Sequence, residues 1–333
     1  MLPWIAWLGI KHRGLGKVTA ANPGLPAGGF VGESKSEILE TLGTEHPEIP
    51  EFVLLRADEE PTERVARARA FAETVGCPVF LKPDAGQRGS GVVKLQDLDD
   101  VERHAASLSL NSILQENVEG LEYGVFWVEE PEAPSGRIFS ITTKELPTVV
   151  GDGKHTIEEL LLADPRARAM HKAYLSELGQ DAEAVLPEGE SRRLVEVGTH
   201  ARGAVFLDGA HLITPELTEA VGRIAARFEG FHFGRFDFMA PSPEDLKSGR
   251  NLRVIELNGV TSESTNVYDP KFSGIAAYGI LLKQWTIAYR IGAHHASKGA
   301  PTTGLIGILR AFHAYRKTQG DHIHVPNEIL SKP

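Results

Sequence analysis

Two short apolar runs in the last third of the chain carry the polar residues that most restrict its fold. They cover residues 234–238 and 254–258, and both have the composition of strands. Glu256 and Asn258 are two residues apart, so on an extended strand they project from the same face. With Asp237 they form an all-oxygen ligand set, which suits Mg²⁺ better than zinc or iron. Because Mg²⁺ held by few carboxylates usually shares its shell with phosphates, this pattern predicts a nucleotide site elsewhere in the chain.

The length and charge of the chain limit its class. With 333 residues it can bury a large core, and we expect two or three subdomains rather than one. A formal net charge of −10 argues against nucleic acid as a partner, since that binding depends on neutralising phosphates. A small anionic substrate remains compatible, because local lysines and arginines can still attract one.

The cysteine content and the apolar segments indicate a cytoplasmic protein. Cys77 is the single cysteine, which excludes an intrachain disulfide, and its apolar neighbours predict a core position. Residues 1–10 are apolar, but the basic residues 11–13 follow them rather than precede them. That order is wrong for a signal peptide, and the run is too short to span a bilayer. We therefore do not expect a membrane as a partner.

Strands in pairs, with helices between them, predict an α+β fold built on open antiparallel sheets. A helix is expected to begin at Ser34 or Ser36 and another near Thr156, each at a residue that favours helix N-termini. Short strands are expected at residues 78–82 and 92–95, on either side of a glycine-rich loop.

That loop is the strongest local nucleotide signal. The first strand ends in Lys82, and a loop containing Gly86, Gly89 and Gly91 then returns as the second strand. Glycines let backbone N–H groups approach phosphate oxygens closely, and the lysine adds a positive charge. A glycine-rich hairpin by itself is more often a plain turn, but its placement after a strand that delivers a lysine favours phosphate binding.

A second segment, residues 114–125, places carboxylates at the end of one strand and the start of the next. Backbone groups at residues 116–118 could pair with an adenine edge, and Glu122 could accept hydrogen bonds from ribose hydroxyls. Taken alone, these residues fit an exposed acidic turn equally well.

In this order, the lysine strand with its glycine loop, the Glu-x-x-x-x-Gly-x-Glu-Tyr segment and the late Asp … Glu-x-Asn set resemble the ATP-grasp superfamily over residues 34–290. Two further stretches resemble its carboxylate–amine ligases. Lys35, followed by residues 49–55 (Ile-Pro-Glu-Phe-Val-Leu-Leu), is similar to the pattern in D-alanine–D-alanine ligases. Residues 149–160 look like the ATP-grasp module of cyanophycin synthetase and of fused bacterial glutathione synthetases.

The resemblance implies two α+β subdomains that enclose ATP, at residues 35–118 and 119–292. An N-terminal segment, 1–34, and a C-terminal tail, 293–333, flank them. ATP-grasp ligases usually have a further domain before the first ATP-contacting lysine, and only 34 residues precede Lys35 here. We therefore expect a truncated N-terminal segment, with that domain lost or its role supplied by a partner or by the second subunit of a homodimer.

The resemblance also implies roles for individual residues. Asp237, Glu256 and Asn258 would ligate two Mg²⁺ ions, with Mn²⁺ as an alternative, and Arg235 would stabilise the transferring phosphoryl group. Arg202 is a candidate for that task or for a substrate carboxylate, and Lys144 and Lys154 compete for one phosphate contact. The implied ATP contacts are Lys35, Lys82, Gly86, Arg88, Gly89, Ser90, Gly91, Glu116, Val118 and Glu122.

The implied activity is ATP-dependent ligation of a small carboxylate to a small amine through an acyl phosphate. Two alternatives remain open: a kinase-like phosphotransferase, and an ATP-binding scaffold without catalysis. Residues 28–36 look superficially like a P-loop, but Glu33 and Ser34 separate Gly32 from Lys35, so the pattern fails. This stretch either lines the active site or forms a structural turn.

Overall fold

The computed structural model describes residues 1–86, 90–164, 167–168, 170–195 and 203–319, and it confirms the α+β class. The helices of the described residues are α1 (Leu2–Lys11), α2 (Lys35–Leu42), α3 (Pro61–Val75), α4 (Leu98–Ala106), α5 (Ile157–Ala163), α6 (His171–Leu178), α7 (Pro215–Ala225), α8 (Pro243–Lys247), α9 (Gly274–Ser297) and α10 (Leu305–Gln319). The strands are β1 (Phe52–Leu55), β2 (Val79–Pro83), β3 (Val93–Leu95), β4 (Ser112–Glu116), β5 (Leu121–Glu130), β6 (Ala133–Glu145), β7 (Thr148–Val150), β8 (Ser191–Arg193), β9 (Val205–Asp208), β10 (Phe233–Ala240) and β11 (Arg253–Asn258).

The first sheet is antiparallel, with strand order β1-β4-β2-β3. Helices α3 and α4 cover it through a core that includes Leu55, Ala68, Val79 and Leu114. The predicted strands on either side of the glycine-rich loop are β2 and β3 of this sheet.

The second sheet has five antiparallel strands in the order β11-β10-β5-β6-β9. One of its faces is mainly apolar and packs Phe236 and Phe238 against Val221 and Ile224 of α7. The other face is divided along the strands. Phe233 at the start of β10 packs with the helix α9, whereas Arg235 and Asp237, which follow it on this face, are charged.

Helix α2 begins where the sequence predicts. Ser34 is its N-cap and accepts a hydrogen bond from the Glu37 backbone, which satisfies one of the unpaired N–H groups of the first turn. The apolar side of α2 packs into the core of the second sheet. The boundary between residues 118 and 119 stays a prediction.

Residues 148–193 form a small separate layer in which β7 pairs with β8 beside α5 and α6. Helix α5 starts at the predicted position. Thr156 and Glu159 form a reciprocal capping box at its N-terminus.

Cys77 is exposed, so its prediction as a core residue is wrong. It lies in the turn between α3 and β2, and burial begins only at Val79, where the strand enters the sheet. The glycine- and proline-rich stretch before α2 contains the short 3₁₀ helices Leu15–Ala21 and Pro26–Gly28. In the described part of the chain, no helix is both long and apolar enough to cross a bilayer.

Helix α9 packs tightly on the 3₁₀ helix Leu15–Ala21. A Cβ at Gly292 would lie 2.1 Å from the Lys17 carbonyl oxygen, which no side chain tolerates without a backbone shift. We therefore expect Gly292→Ala to destabilise the protein by about 1–3 kcal/mol, although alanine is the better helix former. Urea denaturation measures the change.

Gly279 of the same helix provides the matched control, because nothing lies within 4 Å of a Cβ built there. Gly279→Ala should raise the free energy of unfolding by about 0.5–1 kcal/mol. Equal effects of the two substitutions would contradict the close packing at Gly292.

Candidate active site

The pairing of β10 with β11 brings the predicted metal ligands to one face. Asp237 lies directly opposite Glu256, and Arg235 lies directly opposite Asn258. Directly opposed residues of an antiparallel pair point to the same side of the sheet. The four side chains therefore lie on one face of the second sheet, the face that also carries Phe233.

Asp237 is almost completely buried, with 4% of its surface exposed. Arg235 donates two hydrogen bonds to it, from Nε to Oδ1 at 2.8 Å and from a terminal nitrogen to Oδ2 at 3.1 Å. Lys144 Nζ lies 3.5 Å from the same Oδ2. Burial by itself would raise the pKa of Asp237, but Arg235 and Lys144 hold it below its ordinary value.

A glycine makes room for this pair. Gly124 on β5 lies opposite Asp237, and a Cβ there would approach Arg235 Cδ to 3.1 Å and Asp237 Oδ1 to 3.4 Å. The two charged side chains thus lie across a strand position that lacks a side chain. The sequence prediction missed Gly124, although its position two residues after Glu122 in a strand was a usable signal.

Lys144 joins the cluster and Lys154 does not. The Lys144 ammonium bonds to Glu122 as well as facing Asp237, and these carboxylates hold its pKa above the ordinary value despite burial. Lys154 is exposed in the 151–155 turn, where its backbone N–H donates to Asp152. Lys144 therefore lies among the predicted site residues, and which of the two lysines contacts phosphate stays a prediction.

Lys35, the first residue of α2, reaches the same face from outside the sheet. Its Nζ lies 3.0 Å from Glu256 Oε1 and donates to the Gly86 carbonyl at 3.0 Å. Asp84 fastens this helix end to the glycine-rich loop, since its carboxylate accepts from Ser34 Oγ and from the Ser36 N–H, both at 2.8 Å. Asp84 is a positioning residue that the sequence prediction missed.

Lys82 is buried at the end of β2 and bonds to the side-chain oxygen of Gln115 on β4. Burial lowers its pKa to about 8, an effect that Glu256 partly offsets and that Lys35 reinforces. These neighbours belong to the second sheet and to α2. Lys82 therefore faces the charged cluster from the first sheet, so the site lies between the two sheets.

The lowered pKa of Lys82 predicts a pH dependence of ATP affinity. Above about pH 8 the lysine is neutral in the free protein and must regain a proton to hold a phosphate. We expect the dissociation constant for ATP to rise by up to about tenfold per pH unit above that point. Titration calorimetry from neutral to alkaline pH measures it.

Lys82→Arg is the control, because a guanidinium stays charged over this range. The ATP affinity of the Lys82→Arg variant should be independent of pH over the range in which that of the wild type falls. Identical pH profiles for the two proteins would show that another group titrates.

The remaining predicted ATP contacts are only partly visible. Gly86, Ser90 and Gly91 are described, whereas Arg88 and Gly89 lie outside the described residues, as does Arg202. Glu116 uses its carboxylate within the protein, accepting from the Glu51 N–H at 2.8 Å and from Arg253. Val118 is half-buried in the connection from β4 to β5.

Residues 28–33 lie against the residue that follows Asn258. Glu33 Oε1 accepts from the Gly259 N–H at 2.8 Å, and a Cβ at Gly29 would lie 2.6 Å from Gly259 Cα. Burial raises the pKa of Glu33 to about 7, and the charge of Glu256 adds to that effect while the Gly259 hydrogen bond opposes it. Glu33 therefore lies beside the predicted metal ligands, and whether residues 28–36 line the active site or form a structural turn stays a prediction.

The donor set fits a hard cation. Asp237 and Glu256 supply carboxylates, and the side-chain nitrogen of Asn258 is buried without a hydrogen-bond partner. Rotating the side-chain amide by 180° places its oxygen there instead, and Mg²⁺ binds oxygen ligands. Across the described ranges, no three His, Cys, Asp or Glu side chains form a metal cluster. The predicted set contains two carboxylates, with Asn258 as its third member.

Comparisons with known proteins return relatives of low sequence identity. No family model matches the chain. The glutathione biosynthesis bifunctional protein of Streptococcus thermophilus is 22% identical over 204 residues, which is 54% of this chain but only 26% of that protein. The chain therefore matches about a quarter of the length of this relative.

Among solved structures, D-alanine–D-alanine ligase from Bacillus anthracis is 14% identical, with a TM-score of 0.43 over 79% of this chain and 68% of that one. The ATP-grasp ligase PsnB is 17% identical, with a TM-score of 0.38 over 75% of this chain and 60% of that one.

Proposed function

We propose that this chain is an ATP-dependent carboxylate–amine ligase of the ATP-grasp type. The observation that carries the proposal is the meeting of Lys35, Lys82, Lys144 and Arg235 with the carboxylates of Asp237 and Glu256 between two sheets. Phosphate groups need cations, and a divalent metal needs carboxylates. Beyond the ion pair of Arg235 and Asp237, the site still offers three lysines and the carboxylate of Glu256, and this combination suits a metal–polyphosphate.

Lys35 and Lys82 would hold the phosphates of ATP. Lys35 pairs with Glu256 and donates to Gly86 in the free protein, so it lies between the carboxylates and the glycine-rich loop. That loop, residues 86–91, would close over the triphosphate with the backbone N–H groups of Gly86, Gly89, Ser90 and Gly91 and with Arg88. Backbone donors beside a lysine are a common way to bind phosphate oxygens.

The adenine and ribose of ATP would lie near the connection from β4 in the first sheet to β5 in the second. The carboxylate of Glu116 is already engaged by Arg253 and the Glu51 N–H, which leaves the backbone of residues 116–118 for an adenine edge. Glu122 has one oxygen on Lys144 and is partly exposed, so its other oxygen is suited to ribose hydroxyls.

Asp237, Glu256 and Asn258 would ligate Mg²⁺, two ions in our proposal, with Mn²⁺ able to replace them. When bound, the metal would neutralise the charge of the phosphates. The buried side-chain nitrogen of Asn258 has no hydrogen-bond partner, which costs stability. Rotating the amide by 180° would place its oxygen there as a metal ligand, which supports this assignment.

The chemistry needs positioning and charge neutralisation more than a protein nucleophile. A carboxylate oxygen of the substrate attacks the γ-phosphorus, its bond to the bridging oxygen breaks, and ADP leaves. An amine then attacks the carbonyl carbon of the acyl phosphate, phosphate leaves, and the amide loses one proton. Arg235, held by Asp237, would face the charge that develops on the phosphoryl group, and Arg202 remains a candidate for the same task.

The test measures ADP and phosphate release with Mg·ATP and a panel of amino acids and small carboxylates. We expect ADP and phosphate only when a carboxylate and an amine are both present, and an amide product by mass spectrometry. Hydroxylamine offered in place of the amine should trap a hydroxamate.

Other outcomes would reject the proposal. ADP release with a phosphorylated acceptor and no amide indicates a kinase-like phosphotransferase. ATP binding without turnover across the whole panel indicates a scaffold. An inactive Glu256→Gln variant measured in parallel rules out a contaminating ATPase.

A further inference from the structure

Acidic residues are absent from two long stretches of the chain. Residues 1–32 contain three lysines or arginines and no aspartate or glutamate, and residues 270–320 contain seven and none. All 45 acidic residues therefore lie in the rest of the chain with 25 of the 35 basic ones, a formal charge of −20 against +10 for the two stretches. So strong an asymmetry points to a charged partner.

The fold brings these two stretches together. Trp4 on α1 donates from its indole nitrogen to the Leu282 carbonyl of α9 at 3.2 Å, and Tyr289 of α9 donates to the Leu15 carbonyl at 3.0 Å. Farther along, the Thr303 N–H lies 2.8 Å from Thr19 Oγ1. We call the described part of this unit, residues 1–32 with 270–319, the acid-free layer.

The acid-free layer also carries most of the exposed apolar surface. Of the seventeen large apolar side chains that are exposed in the described residues, ten belong to this layer, which is a quarter of the chain. Leu2 is 79% exposed, Ile10 78% and Ile275 88%. Scattered apolar side chains are normal on a protein surface, but concentration on one unit marks an interaction site.

Helix α1 is apolar on both of its sides. Leu8 and Gly9 are buried against the protein, while Leu2, Trp7 and Ile10 face outward together with Pro3 and Ala6. A helix that is apolar all round is normally buried all round. Its outer face therefore needs a cover that the described chain does not supply.

Basic side chains border that outer face. Lys11, Arg13 and Lys17 form no ion pair with any described residue, and Lys11 Nζ lies 5.0 Å from the centre of the Trp7 ring. The charges are close together, since burial, Lys11 and Lys17 together lower the pKa of His12. Two other cations of the layer are paired: Arg290 with Glu130 and Glu132, and Lys271 with Asp208.

We propose that the acid-free layer docks on an anionic lipid surface, with the outer face of α1 in the interface and the cations at its border on the lipid headgroups. Apolar side chains, a tryptophan and lysines or arginines on one short helix are what such a surface binds. A second copy of the chain fits less well, because pairing through the same face would bring like charges together with no acid in the layer to neutralise them.

This proposal goes beyond the ligase activity and does not depend on it. It also reverses the expectation from the sequence that a membrane is not a partner. That expectation rested on the length of the apolar run, which excludes spanning the bilayer but not lying on it.

Flotation of the full chain with lipid vesicles tests the proposal. We expect binding to vesicles that contain phosphatidylserine, little binding to phosphatidylcholine alone, and release by salt. Lys11→Gln with Arg13→Gln should weaken binding by about 30-fold, at roughly a factor of five per cation. Leu2→Gln with Ile10→Gln should weaken it at least about tenfold, because both side chains would enter the interface.

Val150→Gln is the matched control, since Val150 is 57% exposed on β7, outside the acid-free layer. This variant should bind the vesicles as the wild type does. All variants change exposed side chains, and circular dichroism verifies their fold. No flotation with either vesicle, equal flotation with both, or equal loss for Val150→Gln would overturn the proposal. So would a concentration-dependent dimer that Leu2→Gln with Ile10→Gln converts to monomer without vesicle binding.

Discussion

Glu256→Gln is expected to lower the rate of ATP turnover at least about 100-fold while the protein stays folded. Glutamine keeps the size of the side chain but removes the negative charge that faces Lys35 at 3.0 Å and that would hold Mg²⁺. Any residual activity should need at least about tenfold more Mg²⁺ for half-saturation, since a ligand has been weakened. Initial rates of ADP release over a range of Mg²⁺ concentrations measure both effects.

Stability should hardly change in this variant. The Glu256 side chain is 29% exposed, and a partly exposed ion pair with a lysine contributes about 0–1 kcal/mol. Glu188→Gln is the matched control, because this carboxylate is exposed in the turn before β8 and should leave the rate unchanged. Full activity in Glu256→Gln would refute the metal assignment.

Arg235→Met should have an even larger effect, on both stability and activity. Asp237 would remain buried with its bidentate partner removed, which costs about 3–5 kcal/mol. The remaining neighbour, Lys144, is shared with Glu122 and lies 3.5 Å away, so it compensates only in part. Turnover should fall by about 10³-fold or more, because the same guanidinium is proposed to face the transferring phosphoryl group.

Two further variants separate these effects. Arg235→Met combined with Asp237→Leu removes both charges, so most of the lost stability should return while activity does not. Arg235→Lys keeps a charge but cannot form the two parallel hydrogen bonds. We expect its stability and its turnover to lie between those of the wild type and of Arg235→Met. Urea denaturation and ADP release on the same samples measure both quantities. Full recovery of activity in the double variant would exclude Arg235 from catalysis.

Much of the local structure could be predicted because local chemistry determines it. The caps at Ser34 and Thr156 are side-chain oxygens that satisfy free N–H groups, and such residues are legible in any sequence. The alternation of apolar and charged residues in β10 predicts a strand with one charged face for the same reason. Cys77 shows the limit, since apolar neighbours say little about a residue in a turn.

The site could be predicted only in part. The shared face of Glu256 and Asn258 follows from their spacing along a strand, whereas the position of Lys144 beside Asp237 depends on the pairing of β6 with β5. Gly124 and Asp84 matter through what they contact, not through their chemical type. No motif marks such residues, because their partners are distant in the chain.

The sequence by itself determined the ligand chemistry of this protein: which residues have oxygen donors, which have cations, and where chain segments become strands. These properties depend on residue type and on neighbours within a few positions. The tertiary structure alone decided which charges meet between the two sheets and that two acid-free stretches, more than 200 residues apart, form one layer. Which distant segments pair depends on packing over the whole core, so these contacts can be identified only in the folded structure.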